Sequence, residues 1–239
     1  MLMMQNNCNV CYLKEYELFQ DLSERELDQL GKVSQPTLIP KREYVFTPDQ
    51  PNDVIYMLKK GRVRITRLSD TGKHITLVIL EAGDIFGEDA ILGSKHRKYF
   101  AEVLDDAHIC VIDRNAVEQV IANNAQVGFR LAKIVEQRLE DVQEQLENIV
   151  FYDVQTRLAR LLLKLADLHG KQTPAGVLIN IKLTHEDMAS LIGSTRETTS
   201  KVLNEFRTQG LVDLQNRRVI LRDPTALAHM DERLRSNGA

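Results

Sequence analysis

The segment from Leu183 to Leu221 carries side chains whose types and spacing suit the reading of DNA bases. Thr184 begins a short helix in a partial capping box with Asp187, and Gly193 supplies a tight turn. Ser194 then begins a second helix, in which about 100° per residue separates a polar arc from an apolar one. The polar side chains are Thr195, Arg196, Glu197, Ser200, Lys201, Asn204 and Arg207, and the apolar arc, predicted to pack on the first helix, is Thr199, Val202, Leu203 and Phe206.

The chemistry of the polar arc fits the major groove of double-stranded DNA. Arg and Lys donate to guanine, Glu accepts from cytosine N4, and Ser and Asn adapt to either role. The alternative is an ordinary amphipathic helix with a solvated face, in which Glu197 is only a capping residue. Two apolar runs, Leu211–Leu214 and Arg218–Leu221, flank a turn at residues 215–217 and predict a small wing. The helix-turn-helix spacing and the wing together favour DNA recognition.

A long helix is predicted over residues 115–150, and it carries an apolar stripe. The stripe residues follow one another at alternating spacings of three and four, and they are Ala132, Val135, Leu139, Val142, Leu146 and Ile149. A helix could use such a stripe to cover its own β-domain, but the strict alternation favours a coiled-coil seam with an identical helix. A parallel homodimer would present two reading helices to successive major grooves of a palindrome.

Residues 18–114 show short strand patterns separated by turn residues, after an N-terminal tail over residues 1–17. Asp70-Thr71-Gly72 is a hairpin signal between two of the predicted strands. Ser23 is predicted to cap a short helix from Glu24 to Leu30. Short strands that are separated at regular intervals by turn residues are typical of an all-β roll or barrel.

The C-terminal part, residues 151–239, is predicted as a winged helix-turn-helix with a loop over residues 169–176 and a frayed tail after Pro224. Of the 31 basic and 34 acidic residues in the chain, 13 and 10 lie here, so this part carries +3 while the whole chain carries −3. Such a balance suits a regulator whose reading domain alone contacts phosphate. The predicted fold class is α+β, with an N-terminal β-roll, a long dimerisation helix and this winged domain.

Composition and missing motifs exclude several classes of protein. No apolar run approaches the length of a membrane span, so no membrane partner is expected. Three cysteines, an odd number, argue against a disulfide scaffold and for a reducing compartment, which predicts a cytoplasmic protein. The sequence has no nucleophile elbow, P-loop, dinucleotide fingerprint or zinc-hydrolase helix, so an enzyme is not expected.

Three runs of residues form a set when they are taken in order along the chain, within a likeness that extends from Leu18-Phe19-Gln20-Asp21-Leu22-Ser23 to about Leu221. The runs are Gly83-Asp84-Ile85-Phe86-Gly87-Glu88, Phe151-Tyr152-Asp153-Val154 and Gly193-Ser194-Thr195-Arg196-Glu197-Thr198. This set resembles the family of the cyclic-AMP receptor and the fumarate-nitrate reduction regulator, the CRP/FNR transcription factors. The resemblance implies a homodimer that contacts RNA polymerase and whose cyclic-nucleotide-binding-like jelly roll switches DNA binding in response to a signal.

The resemblance assigns roles to residues of the polar arc. Arg196 and Glu197 match the base-reading Arg and Glu of the family, and Ser200 matches a base-contacting Ser of the fumarate-nitrate branch. Lys201 stands where both branches usually have Arg, so its guanine contact should be weaker and less selective. The implied target is a palindrome with half-sites near TGTGA or TTGA.

The resemblance is weakest at the effector pocket. Gly87 and Glu88 match the ribose-binding pair, and Arg97 matches the phosphate-binding Arg after a one-residue deletion. Lys98 replaces the Ser that follows it, and the hydroxyl residues that face adenine become Val142 and Gln143. Arg97 and Lys98 either form an anion site or are a solvated loop pair. Cyclic AMP is therefore not expected as the effector.

The cysteines offer another route for a signal. Cys8 and Cys11 form a C-x2-C pair, and Cys110 lies in the last predicted strand of the roll. By the resemblance, these three align with three of the four cluster ligands of the oxygen sensor in the family, and Glu17 takes the fourth place. An iron–sulfur cluster is therefore one cofactor hypothesis. The alternatives are a disordered tail with a buried core cysteine, a zinc site, or a Cys8–Cys11 redox pair. A further alternative is haem bound through one of His74, His96 or His108.

The sequence thus predicts a homodimeric, sequence-specific transcription regulator gated by a signal that the β-roll senses. The hypotheses for that signal are redox state or oxygen, through a cysteine-ligated centre, and another small anion. The alternative function is a β-roll module that controls a partner protein through its C-terminal helices without binding DNA. A docking helix would carry apolar anchors where this one carries Arg196 and Lys201, so DNA reading is favoured.

Overall fold

The computed structural model describes residues 13–68, 74–215 and 218–236. The chain divides into two compact units, Met1–Leu139 and Glu140–Ala239. One long helix, α3, runs over Ala125–Phe151 and contributes residues to both units.

The first unit is built on an antiparallel sheet, as the predicted β-roll requires. Its described strands are β1 (Gln35–Ile39), β2 (Tyr44–Phe46), β3 (Val54–Leu68), β4 (His74–Leu80), β5 (Ile85–Phe86) and β6 (Phe100–Asp113). The strand order is β1-β6-β3-β4, with β2 also paired to β6 and β5 to β3. The Asp70-Thr71-Gly72 hairpin signal lies outside the described residues.

Two apolar clusters stabilise this unit. Inside the roll, the Tyr56 ring stacks on Phe86 with centroids 4.9 Å apart, and Phe46 lies 5.5 Å from Tyr56. The second cluster joins the sheet to the N-terminal turn Glu17–Phe19 and to helix α1, Glu24–Val33. Ser23 caps α1 in a complete capping box with Glu26, so the cap prediction is confirmed, and the helix extends three residues past the predicted end.

The helix predicted over residues 115–150 is two helices. Helix α2 spans Arg114–Asn123 and has Asn124 as its C-cap, and α3 begins at the next residue, Ala125. The backbone of Asn124 is extended, and its Oδ1 accepts a hydrogen bond from the backbone N of Gln126 at 3.1 Å. An asparagine side chain that satisfies the first turn of a new helix is a reason for the chain to break there.

The second unit combines helices with a small sheet. Its described elements are α4 (Val154–His169), β7 (Gly170–Thr173), β8 (Gly176–Ile179), α5 (His185–Leu191), α6 (Arg196–Thr208), β9 (Val212–Gln215), β10 (Arg218–Leu221) and α7 (Pro224–Ser236). The four strands pair antiparallel in the order β7-β8-β10-β9. The predicted wing is confirmed as the β9–β10 pair.

Two predictions in this unit are wrong. Residues 169–176 do not form a loop, because β7 and β8 make a hairpin whose second strand pairs with β10 through Ile220 and Leu178. This long-range pairing overrides the turn-forming composition of the segment. Where a frayed tail is predicted after Pro224, the described residues form the helix Pro224–Ser236, and Leu227 in it is fully buried.

Among the described residues, no helix combines the length and the apolar character needed to cross a membrane.

Candidate nucleic-acid interface

The local geometry of the helix-turn-helix follows from its caps and its glycine. Thr184 caps α5 in a complete capping box, with its backbone N donating to Asp187 Oδ2 at 2.8 Å. Gly193 has a φ of +62°, a backbone conformation that would be strained in a residue with a side chain. The backbone N of Ser194 donates to the Ala189 carbonyl at 2.9 Å and closes the turn. The N-cap of α6 is Thr195, one residue after the predicted start, and its Oγ1 accepts from Thr198 N at 3.2 Å.

Helix α6 divides into the two arcs that the sequence predicts. The apolar arc is buried, and its members are Thr199, Val202, Leu203 and Phe206. The polar arc is exposed at Thr195, Arg196, Glu197, Lys201, Asn204 and Arg207. Since the apolar arc is anchored, the helix has a fixed orientation and its polar side chains all face away from the core.

Ser200 is the exception on the polar arc, because it is half-buried and already has a partner. Its Oγ lies 2.7 Å from Nδ1 of His185, the first residue of α5. His185 carries no signal of this role in the sequence, because no spacing rule connects residues fifteen positions apart on different helices. Only the packing of α5 on α6 brings them together.

The wing carries a small ion cluster beside α6. Arg222 donates to Asp213 Oδ2 at 3.1 Å, and the Arg207 guanidinium lies 3.9 Å from the same carboxyl group. The hydrogen bond from Arg222 is the main cause that lowers the pKa of Asp213 below its usual value. Residues 216 and 217 of the predicted turn lie outside the described residues.

The predicted dimer seam is one surface of α3, and most of it is uncovered in the single chain. Leu139, Val142, Leu146 and Ile149 are 56%, 50%, 62% and 51% exposed. Ala132 is also exposed, and Val135 is half-buried. Ile149 lies beside the helix-turn-helix, because a Cβ added to Gly193 would be 3.2 Å from its Cδ1. An apolar stripe of this length is the kind of surface that marks an interaction site.

Arg97 lies inside the roll, where it is 2% exposed. Its Nη2 donates to the Val54 carbonyl at 2.5 Å, and its guanidinium lies 4.5 Å from the Phe46 ring centroid and 5.1 Å from that of Tyr56. Gly87, at φ of +79°, permits this approach, because a Cβ there would be 2.7 Å from Arg97 Nη1. Among the described residues, Arg97 Nε has no hydrogen-bond partner.

Lys98 and Glu88 have different surroundings from Arg97. Lys98 is exposed whereas Arg97 is buried, so the two residues do not form the solvated loop pair that was one of the two predictions. Glu88 forms an ion pair with Arg138 of α3, and the same guanidinium donates to the Ile85 carbonyl. Burial raises the pKa of the neighbouring Asp84 above its usual value. Arg138 cannot be predicted as the partner of Glu88 from the sequence, because no spacing pattern connects residues fifty positions apart.

The three cysteines are only partly described. Cys110 is fully buried in β6, and its sulfur takes part in a disulfide, which the odd cysteine count does not predict. A sulfur in a disulfide is not a thiolate, and the thiolate is the metal-binding form. Cys8 and Cys11 lie outside the described residues. In the part of the chain that is described, no cluster of three His, Cys, Asp or Glu side chains is arranged to hold a metal ion.

Two family models match the chain. The model of the Crp-like helix-turn-helix domain matches residues 156–230, and that of the cyclic nucleotide-binding domain matches residues 37–124. Together with the observed elements, these matches confirm the predicted α+β fold class.

Known transcription regulators are similar to this chain over most of its length and of their own. A CRP-like cAMP-activated global transcriptional regulator of Mycobacterium tuberculosis is 30% identical over 88% of this chain and 94% of its own. An anaerobic regulatory protein of Bacillus subtilis is 27% identical over 81% of this chain and 82% of its own. The solved structure of a CRP-family transcriptional regulator from Thermus thermophilus has a TM-score of 0.69 and 29% identity, over 81% of this chain and 95% of that one.

The contacts of Arg97 predict a large stability cost for its removal. In Arg97→Ala, the Val54 carbonyl loses its charged donor and two rings lose their cation, so we expect about 2–3 kcal/mol less stability. The matched control is Lys98→Ala, which removes the same charge from an exposed neighbour and should change stability by less than about 0.5 kcal/mol. Urea unfolding of both variants is the measurement, and equal losses would contradict the inward placement of Arg97.

Proposed function

This chain belongs to the CRP/FNR family of DNA-binding transcription regulators, and we propose that it reads a palindromic site as a homodimer through helix α6. The observation that carries the proposal is the division of α6 into a buried apolar arc and an exposed polar arc. The alternative, a module that acts on a partner protein without binding DNA, finds no support in family membership or in this polar surface.

The exposed side chains match the chemistry of base edges. Arg196 is at the first position of α6, where recognition helices contact bases, and its fork suits guanine O6 and N7. Glu197 beside it is an acceptor for cytosine N4, and Lys201 one turn on offers a single charge to guanine or phosphate. The buried apolar arc fixes the orientation of the helix before DNA arrives, so the helix itself need not be ordered on binding.

Arg196→Ala tests the reading role of α6. We expect the affinity for a palindrome with TGTGA or TTGA half-sites to fall by about 1–3 kcal/mol, because a bidentate base contact is lost. Affinity for scrambled DNA should change much less. A mobility-shift titration at one fixed salt concentration measures both.

The control is Lys171→Ala, which removes one exposed positive charge from β7 in the same unit. It should lower specific and scrambled binding by the same small factor. A selectivity for the palindrome that survives Arg196→Ala would count against the assignment of α6 as the reader.

The homodimer is supported by the stripe on α3. Four of its members are half or more exposed in the single chain, and their spacing is that of a two-stranded seam. Ile149 lies close to the turn at Gly193, where an added Cβ would be 3.2 Å from its Cδ1, and this proximity places the seam beside the turn that precedes the reading helix. A second copy that covers the stripe would therefore also constrain the turn that precedes α6.

Leu146→Asp tests the seam. Two carboxylates placed in an apolar interface without partners cost on the order of 3 kcal/mol or more, so we expect mostly protomers at micromolar concentration. Light scattering coupled to size exclusion measures the mass. The control is Gln137→Asp, which puts the same charge on an exposed position on the opposite side of α3 and should leave a dimer. Equal behaviour of the two variants would remove α3 as the interface.

For the signal, the chemistry of the roll favours a small anion over cyclic AMP. A ligand ribose would have to compete with Arg138 for Glu88, and the hydroxyls expected to face adenine are replaced by Val142 and Gln143. The Arg97 guanidinium already pairs with the Asp89 carboxylate, 3.4 Å from Nη1, but its buried Nε has no partner among the described residues. A small anion would satisfy that donor if it replaced Asp89. Displacement of Arg138 from Glu88 would act directly on α3. Contact with RNA polymerase is part of the proposal and rests on family membership alone.

A further inference from the structure

The hydroxyl of Ser200 is held by an imidazole on the polar arc of α6. Ser200 Oγ and His185 Nδ1 are 2.7 Å apart, and both residues are half-buried. The side chains next to Ser200 on this arc, Arg196 and Lys201, are exposed. The bond therefore lies at the surface that reads bases.

The helices fix both ends of this bond without help from DNA. His185 follows the Thr184 cap, where the Asp187 N donates back to Thr184 Oγ1 at 3.1 Å. Ser200 directly follows the fully buried Thr199 and stands two residues before the buried Val202. The imidazole and the hydroxyl thus meet because two anchored helices pack together.

An imidazole whose proton is on Nε2 presents Nδ1 as a hydrogen-bond acceptor. The separation of 2.7 Å between Nδ1 and the Ser200 Oγ lets the hydroxyl donate to it. We propose that Ser200 donates its proton to Nδ1, and that His185 is thereby a positioning residue that determines base preference at one position of the half-site. This inference rests on the proposed function of α6 as the reading helix.

A serine hydroxyl that already donates its proton to a protein group recognises bases differently from a free hydroxyl. A free serine hydroxyl donates or accepts, so it tolerates every base edge. When its single proton is held by His185, only lone pairs remain for DNA. In the major groove those lone pairs accept from adenine N6 or cytosine N4, and they face guanine O6 or thymine O4 without a proton to share. His185 therefore turns an adaptable side chain into a selective one.

The test is a table of base preferences for the full-length protein. Every position of one half-site is substituted, and competition binding is measured for the wild type, Ser200→Ala, His185→Ala and the double variant. In the wild type, we expect about tenfold preference for an adenine or cytosine amino group at the position whose preference Ser200→Ala abolishes. His185→Ala should reduce this preference to about threefold or less. The double variant should match Ser200→Ala, because His185 acts only through Ser200.

Two further variants separate this role from a structural one. His185→Asn keeps a hydrogen-bonding group near the Nδ1 position and should restore part of the preference. Glu186→Ala changes the next, exposed residue of α5 and should leave every preference unchanged.

An unaltered preference in His185→Ala, or an additional loss in the double variant, overturns the proposal. The proposal is also overturned if Ser200→Ala leaves the base preference unchanged at every position of the half-site. These failures differ from a failure of the proposed function, in which the wild type itself shows no selectivity that depends on Arg196.

Discussion

The burial of one face of α6 is the constraint on which the reading surface depends. Phe206 and Leu203 are fully buried, and the complete capping box of α5 and the turn at Gly193 fix the helix that packs against them. Because that face is anchored, Arg196 and Glu197 point away from the core and present their charges to solvent. Removal of the apolar anchor would leave the same polar residues on a helix without a defined orientation, and base recognition needs that orientation.

A second constraint is the stripe on α3, which a single chain leaves largely exposed. If a homodimer buried this stripe, it would contain two reading helices, one from each copy. Because Ile149 of the stripe lies close to Gly193, the dimer contact would also lie close to the turn before each reading helix. The same helix carries Arg138, whose ion pair with Glu88 joins α3 to the roll. One helix thus holds the proposed dimer contact and a contact to the proposed sensor, which suits a regulator that couples the two.

The sequence predicts elements whose signals are local. The two arcs of α6, the cap at Ser23 and the wing follow from periodicity, capping chemistry and short strand patterns, and the structure contains all three. It does not predict contacts that join distant parts of the chain. The β7–β8 hairpin forms because β10 pairs with it, and the bonds of Ser200 and Glu88 come from helices fifteen and fifty residues away. No pattern within one element contains that information.

In the proposed homodimer, two copies of α6 read consecutive turns of one duplex, and the spacing of the half-sites tests this arrangement most directly. Two half-sites are compared at the native spacing and after insertion of about five base pairs, half of a helical turn. A matched pair of helices cannot reach both half-sites after this rotation, so affinity should fall to that of a single half-site. Equal affinity for the two duplexes would contradict the account.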